Sequence, residues 1–461
     1  MATYPVGYSG NVTQVVVIGG DAAGMSAAAQ ATRGRDALDV TVFERGAFTS
    51  YAACGLPYYV GGLVPEHDNL VARTPEQHRR NGIDVRTGHE VLAIDTATGS
   101  VLVRDHADGT TLRQEYDHLV IATGAVPLRP PLPGVDLPGV LALHTIPDAD
   151  AILDGMRARG VRRVVAVGAG YIGLEIAEAF VARDLDVTVV ERLDQPMATL
   201  DADMAGRVAD GMVELGIDLR LGTAVEGFTA GSDGWVRAVV TGTGDLPADL
   251  VVLGLGVQPN SALAMDAGIP VGPTGGIVTD PRMATPVDGV WAAGDCAQSV
   301  HRVSGQPAAI ALGTHANKQG RVVGINVSGG HARFPGYIGT AVTKVGPIEI
   351  GRTGLSEREA ADAGFDAVAD TIEGSSRSHF YPGATALAVK VVAERRGGRL
   401  LGAQIVGGSE AAKRIDALAV GIWNEMTVDE FTQLDLGYAP PFSPVWDPIL
   451  VAARRTGSRT T

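Results

Sequence analysis

The sequence predicts an α/β fold with two parallel-sheet units, followed by a smaller α+β region. Three observations predict it. A valine-rich run, a glycine turn and a helix-forming run occur in this order twice, about 150 residues apart. After about residue 330 the pattern changes to alternating β-type segments and a helical stretch over 410–426, without a further glycine turn. At ~100–200 residues per domain, a chain of 461 residues has room for about three such regions.

The first unit begins with a predicted strand over residues 14–18 and a glycine turn that leads into a helix. A second strand over 39–44 ends in the carboxylate of Glu44. In such a turn the first glycine reverses the chain, the second lets a pyrophosphate approach the backbone, and the third lets helix and strand pack. The small residues of this turn are Gly19, Gly20, Ala22, Ala23 and Gly24.

The second unit repeats the pattern, with strands over 163–167 and 186–191 and a helix that ends near residue 181. Its fingerprint glycines are Gly168, Gly170 and Gly173. Glu191 ends its second strand, where a carboxylate accepts hydrogen bonds from ribose hydroxyls. One fingerprint is weak evidence for a dinucleotide site, because an ordinary turn between a strand and a helix can have a similar glycine pattern. Two fingerprints, each with its own acid, predict two Rossmann-like dinucleotide-binding units.

The two fingerprints differ at the second glycine position, where the first unit has Asp21. A carboxylate beside a pyrophosphate is unfavourable unless it points away, and Gly20 could then provide the close approach. In the second unit Glu191 favours a free ribose hydroxyl and therefore NADH, whereas Arg192 could receive the 2′-phosphate of NADPH.

Composition excludes several classes of protein. The 61 glycines show no Gly-X-Y period, so we assign them to turns and close backbone contacts, including turns at Gly254, Gly294 and Gly320. A net charge of −15 opposes nucleic-acid binding, and no apolar run reaches the ~18 residues of a membrane span. Two cysteines and an N-terminus without signal-peptide features predict a cytoplasmic protein. We predict no metal site.

Two dinucleotide sites in one chain usually hold a flavin and its nicotinamide reductant. A flavin needs a second contact far from its fingerprint. Residues 289–291 form a predicted strand that runs into Gly294 and Asp295, and this aspartate could bind the ribityl chain. Without the two fingerprints, a simple turn after the strand would be the better interpretation.

Cys54 follows the ribose-binding Glu44 by ten residues, which places it near the flavin end of the first unit. A lone cysteine is more often a small buried hydrophobe than a nucleophile. If Cys54 begins the following helix, the helix dipole lowers the pKa of its thiol. No second cysteine lies four or five residues away, so a dithiol mechanism is excluded unless Cys296 folds close by. A single redox thiol then forms a mixed disulfide or a sulfenic acid.

Several motifs give the chain a resemblance to a known family. They are the run from Ser50 to Tyr58 with Cys-Gly-Leu-Pro-Tyr, and the segments 122–125, 254–260, 294–295, 316–321 and 438–448. With these motifs the chain resembles the single-cysteine pyridine nucleotide-disulfide oxidoreductases, and among them coenzyme A disulfide reductase, with NADH oxidase and NADH peroxidase as relatives.

The resemblance implies an FAD-binding domain interrupted by an NAD(P)-binding domain, then a dimerisation domain. The implied boundaries are 1–126 with 262–330 for FAD, 127–261 for NAD(P), and 331–461 for dimerisation. The proline-dense segment 125–134 suits the first crossing between domains. The implied partner is a second copy of the chain, with active sites shared between subunits.

The resemblance also implies roles for individual residues. The catalytic residues would be Cys54 with Tyr381 and Tyr438, the tyrosines coming from the partner subunit. Tyr171 would act as a gate over the flavin ring. Beyond the fingerprints and ribose acids, the implied cofactor contacts are Arg45, Ser50, Ala122, Thr123, Gly124, Tyr171, Ile172, Glu175, Gly256, Gly294, Asp295, Ala311 and Lys318.

One agreement with the coenzyme A disulfide reductases, Ala22, and one departure from them, Ala53, bear on the substrate. Peroxidases and oxidases of the family carry a histidine where this chain has Ala22, which favours disulfide reduction here. Many of the reductases have asparagine where this chain has Ala53. Arg33, Arg35 and Arg73 could meet the phosphates of coenzyme A, although surface arginines are usually only solvated.

The leading hypothesis is an FAD-dependent NAD(P)H oxidoreductase that reduces coenzyme A disulfide or a related small disulfide through Cys54. An NADH oxidase, a peroxidase or a persulfide reductase is the alternative within the same fold; the chain ends without a rhodanese-like extension, which argues against a fused persulfide reductase. A hypothesis from another class is an electron-transfer flavoprotein with a protein partner, which would not need Cys54.

Overall fold

The computed structural model describes residues 12–34 and 38–461. Its strands are β1 (Thr13–Ile18), β2 (Leu38–Glu44), β3 (Asp84–Thr87), β4 (His89–Asp95), β5 (Ser100–Asp105), β6 (Thr111–Glu115), β7 (His118–Ile121), β8 (Ala125–Pro127), β9 (Val140–Ala142), β10 (Arg163–Val167), β11 (Asp186–Val190), β12 (Asp218–Arg220), β13 (Val225–Ala230), β14 (Val236–Thr241), β15 (Gly244–Pro247), β16 (Leu250–Leu253), β17 (Val257–Pro259), β18 (Ile277–Val278), β19 (Val290–Ala292), β20 (Ala297–Val300), β21 (Pro307–Ala308), β22 (Ala341–Val345), β23 (Ile348–Gly354), β24 (Ala367–Ser375), β25 (Ala386–Glu394) and β26 (Leu400–Gly407).

The α-helices are α1 (Ala22–Ala31), α2 (Leu56–Gly61), α3 (Pro75–Arg80), α4 (Ile146–Arg159), α5 (Tyr171–Val181), α6 (Ala202–Glu214), α7 (Ala262–Asp266), α8 (Gly313–Val327), α9 (Glu357–Asp362), α10 (Ala411–Trp423), α11 (Val428–Thr432) and α12 (Pro448–Gly457). Short 3-10 helices lie at Ala53–Gly55 and His67–Leu70. The predicted α/β fold class is confirmed, with two parallel sheets and a C-terminal antiparallel sheet.

The first sheet has the strand order β19-β7-β1-β2-β3, and its paired strands are parallel. Its central strand is apolar because both faces are covered, and Val15, Val16 and Val17 are all buried. The chain leaves this sheet after β7, builds the second sheet, and returns with β19. The first sheet is therefore completed by residues that follow the second.

The second sheet has the order β12-β11-β10-β16-β9, again with parallel pairs. Strand β10 lies at its centre, as β1 does in the first sheet. Between the two sheets, β8 pairs antiparallel with β17 and joins Val126 to Gln258. The proline-dense segment thus gives only a three-residue strand in a two-stranded ribbon. The residue numbers of the domain boundaries stay predictions.

The third sheet has the order β22-β23-β26-β25-β24, and all its pairs are antiparallel. It is tied to the second unit by Lys390, whose side chain is 6% exposed and lies 3.3 Å from Asp201 and 2.8 Å from Asp203. A buried ammonium that contacts several carboxylates remains compensated. This ion cluster connects the start of α6 to the third sheet.

Three local predictions in this part of the chain need correction. Gly320 does not lie in a turn but inside α8, where a Cβ would come within 2.1 Å of the Ala23 carbonyl oxygen, so the glycine serves close packing of α1 on α8. The alternating pattern over 338–345 predicts a strand from residue 338, but β22 starts at residue 341, after Gly339 turns the chain with a φ of 69°. Helix α10 ends at Trp423, because Glu425 adopts a φ of 56°.

Candidate functional site

The first glycine turn (residues 19–24) is built so closely that side chains are excluded from it. Gly19 has a φ of 106°, and a Cβ there would lie 2.2 Å from the Ala122 carbonyl oxygen. A Cβ on Gly24 would lie 2.0 Å from the Gly19 carbonyl oxygen. Since real Cβ contacts are much longer, both positions require glycine. The turn brings the end of β1 against the end of β7 and starts α1.

The second glycine turn (residues 168–173) has the same construction. Gly168 has a φ of 101°, and a Cβ would lie 2.5 Å from the Gly254 carbonyl oxygen. On Gly173 the Cβ would lie 1.9 Å from the Gly168 carbonyl oxygen. At Gly170 a Cβ would meet no atom within 4 Å, so this glycine leaves open space beside the N-terminus of α5.

The two acids predicted to bind ribose lie beside their turns. Glu44 accepts hydrogen bonds from the backbone N–H groups of Gly20, at 2.7 Å, and Gly46, at 2.6 Å. Glu191 accepts from Ala169 at 2.8 Å and from Leu193 at 2.9 Å. Each carboxylate is thereby fixed at the end of its turn, where its remaining lone pairs can accept ribose hydroxyls.

Both turns fit the pyrophosphate of a dinucleotide. Each leads into the N-terminus of a helix, α1 of 10 residues and α5 of 11 residues, and neither helix has a side-chain N-cap hydrogen bond. The orphan N–H groups and the helix dipole at such an end favour phosphate oxygens. The first turn is also flanked by Thr123, whose hydroxyl donates to the Asn260 carbonyl at 2.6 Å, and by Gly124, with a φ of 68°.

Two further carboxyl groups lie at the first turn. Burial, followed by the negative charge of Glu44, raises the pKa of Asp21 to about 6. Burial also raises the pKa of Asp295, which follows β19 in the chain. Both are only partly accessible to solvent. Gly294 is held close to α1, since a Cβ there would lie 2.8 Å from the Ala23 side chain.

Cys54 lies in a 3-10 helix immediately before α2 and is exposed. Its turn is held on both sides, because Ala52 donates to the Leu70 carbonyl at 2.8 Å and Ser50 donates to the Gly20 carbonyl at 3.1 Å. Cys296 has the opposite environment: it is fully buried, and its thiol contacts the carbonyl oxygens of Ile121 and Ala293. Both cysteines are free.

The expectation that a helix dipole lowers the pKa of the Cys54 thiol is wrong. The pKa is raised, first because surrounding protein atoms disfavour the thiolate and then because the carboxylates of Glu175 and Asp295 lie nearby. Both acids are among the predicted cofactor contacts, Asp295 after β19 and Glu175 on α5 of the second unit. The fold thus brings acids from two distant segments toward the thiol, and their repulsion adds to the effect of burial.

Other predicted residues of the second unit lie on the same helix. Tyr171 is the first residue of α5, and burial is the main cause of its raised pKa. Glu175 accepts a hydrogen bond from the Thr343 hydroxyl at 2.8 Å, while burial raises its pKa. Ile172 packs against the apolar core of the second unit. The gating role of Tyr171 stays a prediction.

Several residues predicted to contact the cofactors lie outside the two glycine turns. Arg45 is 4.0 Å from Glu90 at the surface. Gly256 adopts a φ of 88°. Ala311 and Lys318 are exposed, the lysine on α8 beside His315. Arg33 and Arg73 lie within the described residues, whereas Arg35 lies outside them.

Sequence reasoning missed His78. This histidine on α3 is 1% exposed, and its Nε2 lies 3.0 Å from the hydroxyl oxygen of Ser50. Ser50 has a φ of 49°, which is uncommon for a residue other than glycine. His78 therefore helps to fix the strained start of the Cys54 turn. In the sequence, only the position of His78 shortly after the helix-capping pair Thr74-Pro75 could have suggested that its side chain is buried.

Tyr381 and Tyr438 are 37% and 49% exposed and lie on two neighbouring segments. Ser378 donates its N–H to the Pro440 carbonyl at 3.2 Å, which joins the segments. Arg414, on α10, donates to the carbonyls of Ser376 at 2.6 Å and Phe442 at 2.7 Å. We name residues 376–381 and 438–447 the tyrosine platform. It also exposes Phe380, Phe442, Val445 and Trp446.

The tyrosine platform belongs to the C-terminal region, whereas Cys54 belongs to the first unit. The structure joins the two tyrosine segments, but within the described residues neither tyrosine has a hydrogen bond to the Cys54 turn. Within those same ranges, no helix is both long and apolar enough to cross a bilayer.

Comparison with known proteins agrees with this geometry. Residues 13–320 match the pyridine nucleotide-disulphide oxidoreductase family and residues 340–448 match its dimerisation domain. The NAD(P)H sulfur oxidoreductase (CoA-dependent) of Pyrococcus abyssi is 42% identical over 441 residues, covering 95% of this chain and 97% of that protein. Coenzyme A disulfide reductase of Staphylococcus aureus is 29% identical over 432 residues, covering 93% and 96%.

A solved structure extends the likeness to three dimensions. The NAD-dependent persulfide reductase from A. fulgidus superposes with a TM-score of 0.94 at 40% identity, covering 97% of this chain and 83% of that one. The motifs, the two glycine turns and these matches agree over nearly the whole length. This chain belongs to the pyridine nucleotide-disulphide oxidoreductase family.

Proposed function

We propose that this protein is a cytoplasmic, FAD-containing NAD(P)H oxidoreductase that reduces the disulfide of coenzyme A or a related small thiol. The observation that carries the proposal is the contrast between its two cysteines. Cys54 is exposed beside the first glycine turn, while Cys296 is buried in the core. A single accessible thiol has to take its second sulfur from the substrate.

The two glycine turns receive different dinucleotides in this proposal. FAD fits the first turn, because Asp295, which follows β19 of the first sheet, and the Cys54 turn lie next to this glycine turn. The nicotinamide nucleotide fits the second turn, with Glu191 fixed to receive the ribose. Bound FAD would supply two-electron chemistry between the nicotinamide and a disulfide on Cys54.

The chain's own part of the reaction is thiol–disulfide exchange. The Cys54 thiolate attacks one sulfur of the substrate disulfide, the substrate S–S bond breaks, and a mixed disulfide on Cys54 forms while one thiolate leaves. Burial, followed by nearby carboxylates, raises the pKa of the Cys54 thiol, so the reactive thiolate fraction increases with pH. The leaving thiolate needs a proton, which a phenol can donate.

The tyrosine platform supplies that phenol in the proposed dimer. Its tyrosines are exposed together with large apolar side chains, and exposed apolar patches of this kind mark interaction sites. The chain carries the family's dimerisation domain over residues 340–448. We infer that Tyr438 of the partner subunit, or Tyr381 of the partner subunit, completes the site at Cys54.

A second candidate substrate is a persulfide of coenzyme A. Relatives named NAD(P)H sulfur oxidoreductase (CoA-dependent) and NAD(P)H coenzyme A polysulfide/persulfide reductase are 42% and 41% identical, against 29% for coenzyme A disulfide reductase. Attack of Cys54 on the inner sulfur of the persulfide would give the same mixed disulfide and release hydrosulfide in place of a thiolate.

The test combines kinetics with intact-protein mass spectrometry. Holoenzyme and NADH are mixed with coenzyme A disulfide, coenzyme A persulfide or oxygen, and the adduct on Cys54 is identified by peptide mapping. A coenzyme A adduct and faster turnover of the disulfide support the main proposal; faster turnover of the persulfide supports the second candidate.

Cys54→Ser removes the attacking sulfur, and turnover of either sulfur substrate should fall by at least ~1,000-fold. Cys296→Ser is the matched control, and it should keep most of the activity because the buried thiol cannot meet substrate. Full disulfide reductase activity in Cys54→Ser would contradict the proposal.

A further inference from the structure

Asp21 is where the first glycine turn departs from the second, and its surroundings disfavour a charged carboxylate. The residue precedes α1 at the position that Gly170 holds before α5. Its Oδ1 atom is buried and has no hydrogen-bond partner. A buried carboxylate oxygen without a donor is costly, whereas a protonated carboxyl can itself donate.

The titratable groups that face Asp21 come from three segments. They are Glu44 at the end of β2, Asp295 after β19, and the Tyr51 phenol and Cys54 thiol in the segment 51–54. Both carboxylates repel a negative charge on Asp21. The opposing influence comes from the backbone N–H groups of Tyr51 and Ala22. Both charged side chains that raise the pKa of Asp21 therefore have the same sign as its carboxylate.

A dinucleotide in the first turn adds further negative charge at this end of α1. The pyrophosphate oxygens accept hydrogen bonds, and a carboxylate beside them offers only acceptors and repulsion. The neutral acid offers an O–H donor at the atom that otherwise has no partner. The buried, unpaired Oδ1 and the bound phosphate group thus favour the same protonation state.

We propose that Asp21 binds FAD as a neutral carboxylic acid whose O–H donates to the dinucleotide, so that FAD is held less tightly when Asp21 is ionised. This inference rests on the assignment of FAD to the first glycine turn. The second turn has Gly170 at the corresponding position, and the binding of the nicotinamide nucleotide there does not depend on this proton.

The sign of the pH effect follows from proton linkage. Where free Asp21 is ionised, binding of FAD must take up a proton, so the dissociation constant for FAD rises with pH by up to about tenfold per unit. At a pH where Asp21 is already protonated before FAD binds, the dissociation constant for FAD no longer changes with pH. With burial and Glu44 raising the pKa to about 6, the rise covers the neutral range.

The experiment measures FAD retention rather than turnover. Holoenzyme is dialysed to equilibrium at fixed ionic strength over the range of about pH 5 to pH 8, and retained flavin is determined by absorbance. Asp21→Asn keeps an N–H donor that does not titrate, and Asp21→Gly copies the second turn. Asp136→Asn is the matched control, since this carboxylate is 90% exposed.

The dissociation constant of the wild-type enzyme and of the control should rise with pH, while both Asp21 variants should give a flat profile. Circular dichroism checks that each variant is folded, and an infrared band of a protonated carboxyl should be present in wild-type holoenzyme at neutral pH and lost in Asp21→Asn. A flat wild-type profile, or an unchanged slope in the Asp21 variants, overturns the inference. Purification without any flavin would instead refute the proposed function.

Discussion

The two glycine turns have nearly the same backbone but different chemical surroundings. In both, the first glycine lies against the carbonyl of the residue that follows a neighbouring strand of its sheet. The third glycine lies against the first, with virtual Cβ contacts of 2.0 Å and 1.9 Å. The first turn adds Asp21, Asp295 and the Cys54 segment, whereas the second is open at Gly170. The backbone construction can therefore bind a dinucleotide, and the side chains around it decide what chemistry accompanies the binding.

The strongest way to separate the two turns is to add one methyl group to each. In Gly24→Ala or Gly173→Ala the new Cβ meets backbone that cannot move aside. We expect a cost on the order of 3 kcal/mol, or roughly 100-fold in dinucleotide affinity. Gly24→Ala should lose flavin, measured by absorbance; Gly173→Ala should keep flavin but require far more NADH to reduce it.

The matched control for that pair is Gly206→Ala. Gly206 is exposed on α6, and a Cβ there meets no atom within 4 Å. Alanine should leave both functions unchanged and add a few tenths of a kcal/mol of stability. If Gly173→Ala lost flavin as Gly24→Ala does, the assignment of one dinucleotide to each turn would be wrong.

A smaller effect is expected from the ribose acids. Glu191→Ala removes a charged hydrogen-bond acceptor and should raise the KM for NADH about tenfold without changing flavin content. Glu44→Ala should weaken flavin retention and leave the KM for NADH nearly constant. Steady-state kinetics and flavin absorbance distinguish the two variants. Loss of flavin in Glu191→Ala, or a raised KM for NADH in Glu44→Ala, would contradict the assignment of the two acids to different dinucleotides.

The smallest predicted effect concerns the contact between the units, where Glu175 of α5 disfavours the Cys54 thiolate. Glu175→Gln removes this repulsion, lowers the pKa of the thiol, and should speed alkylation of Cys54 about two- to threefold at neutral pH. The rate should increase with pH in both proteins. Glu214→Gln, at an exposed position on α6, is the control and should leave the alkylation rate unchanged.

The sequence predicted the repeated units because several of their determinants are local. Gly24 and Gly173 are fixed by contacts with the first glycine of their own turns, and valine-rich runs indicate buried parallel strands. Gly19 and Gly168 lie against the carbonyl oxygens of Ala122 and Gly254, which come much later in the chain. Gly320 shows the limit of this reasoning. The sequence predicts a turn at Gly320, but a helix interior uses glycine equally well when another helix packs against it.

The thiol environment could not be predicted, because it depends on residues far apart in the chain. Glu175 and Asp295 reach Cys54 only through packing of α5 and the return of the chain to the first sheet. The local rule, a helix end lowering the pKa, gave the wrong sign because burial and, after it, these carboxylates disfavour the thiolate. His78 was missed for the same reason, since its partner Ser50 lies 28 residues away.

The Arg414 contacts under the tyrosine platform have a consequence for genetics. Because α10 holds both tyrosine segments from within one chain, a subunit with a mutated cysteine still presents an intact platform. If the partner subunit's tyrosines complete the site at Cys54, as proposed, co-expression of Cys54→Ser with a Tyr381→Phe/Tyr438→Phe chain would yield mixed dimers in which one of two sites is complete. Two inactive alleles would rescue each other to about a quarter of wild-type activity under random pairing.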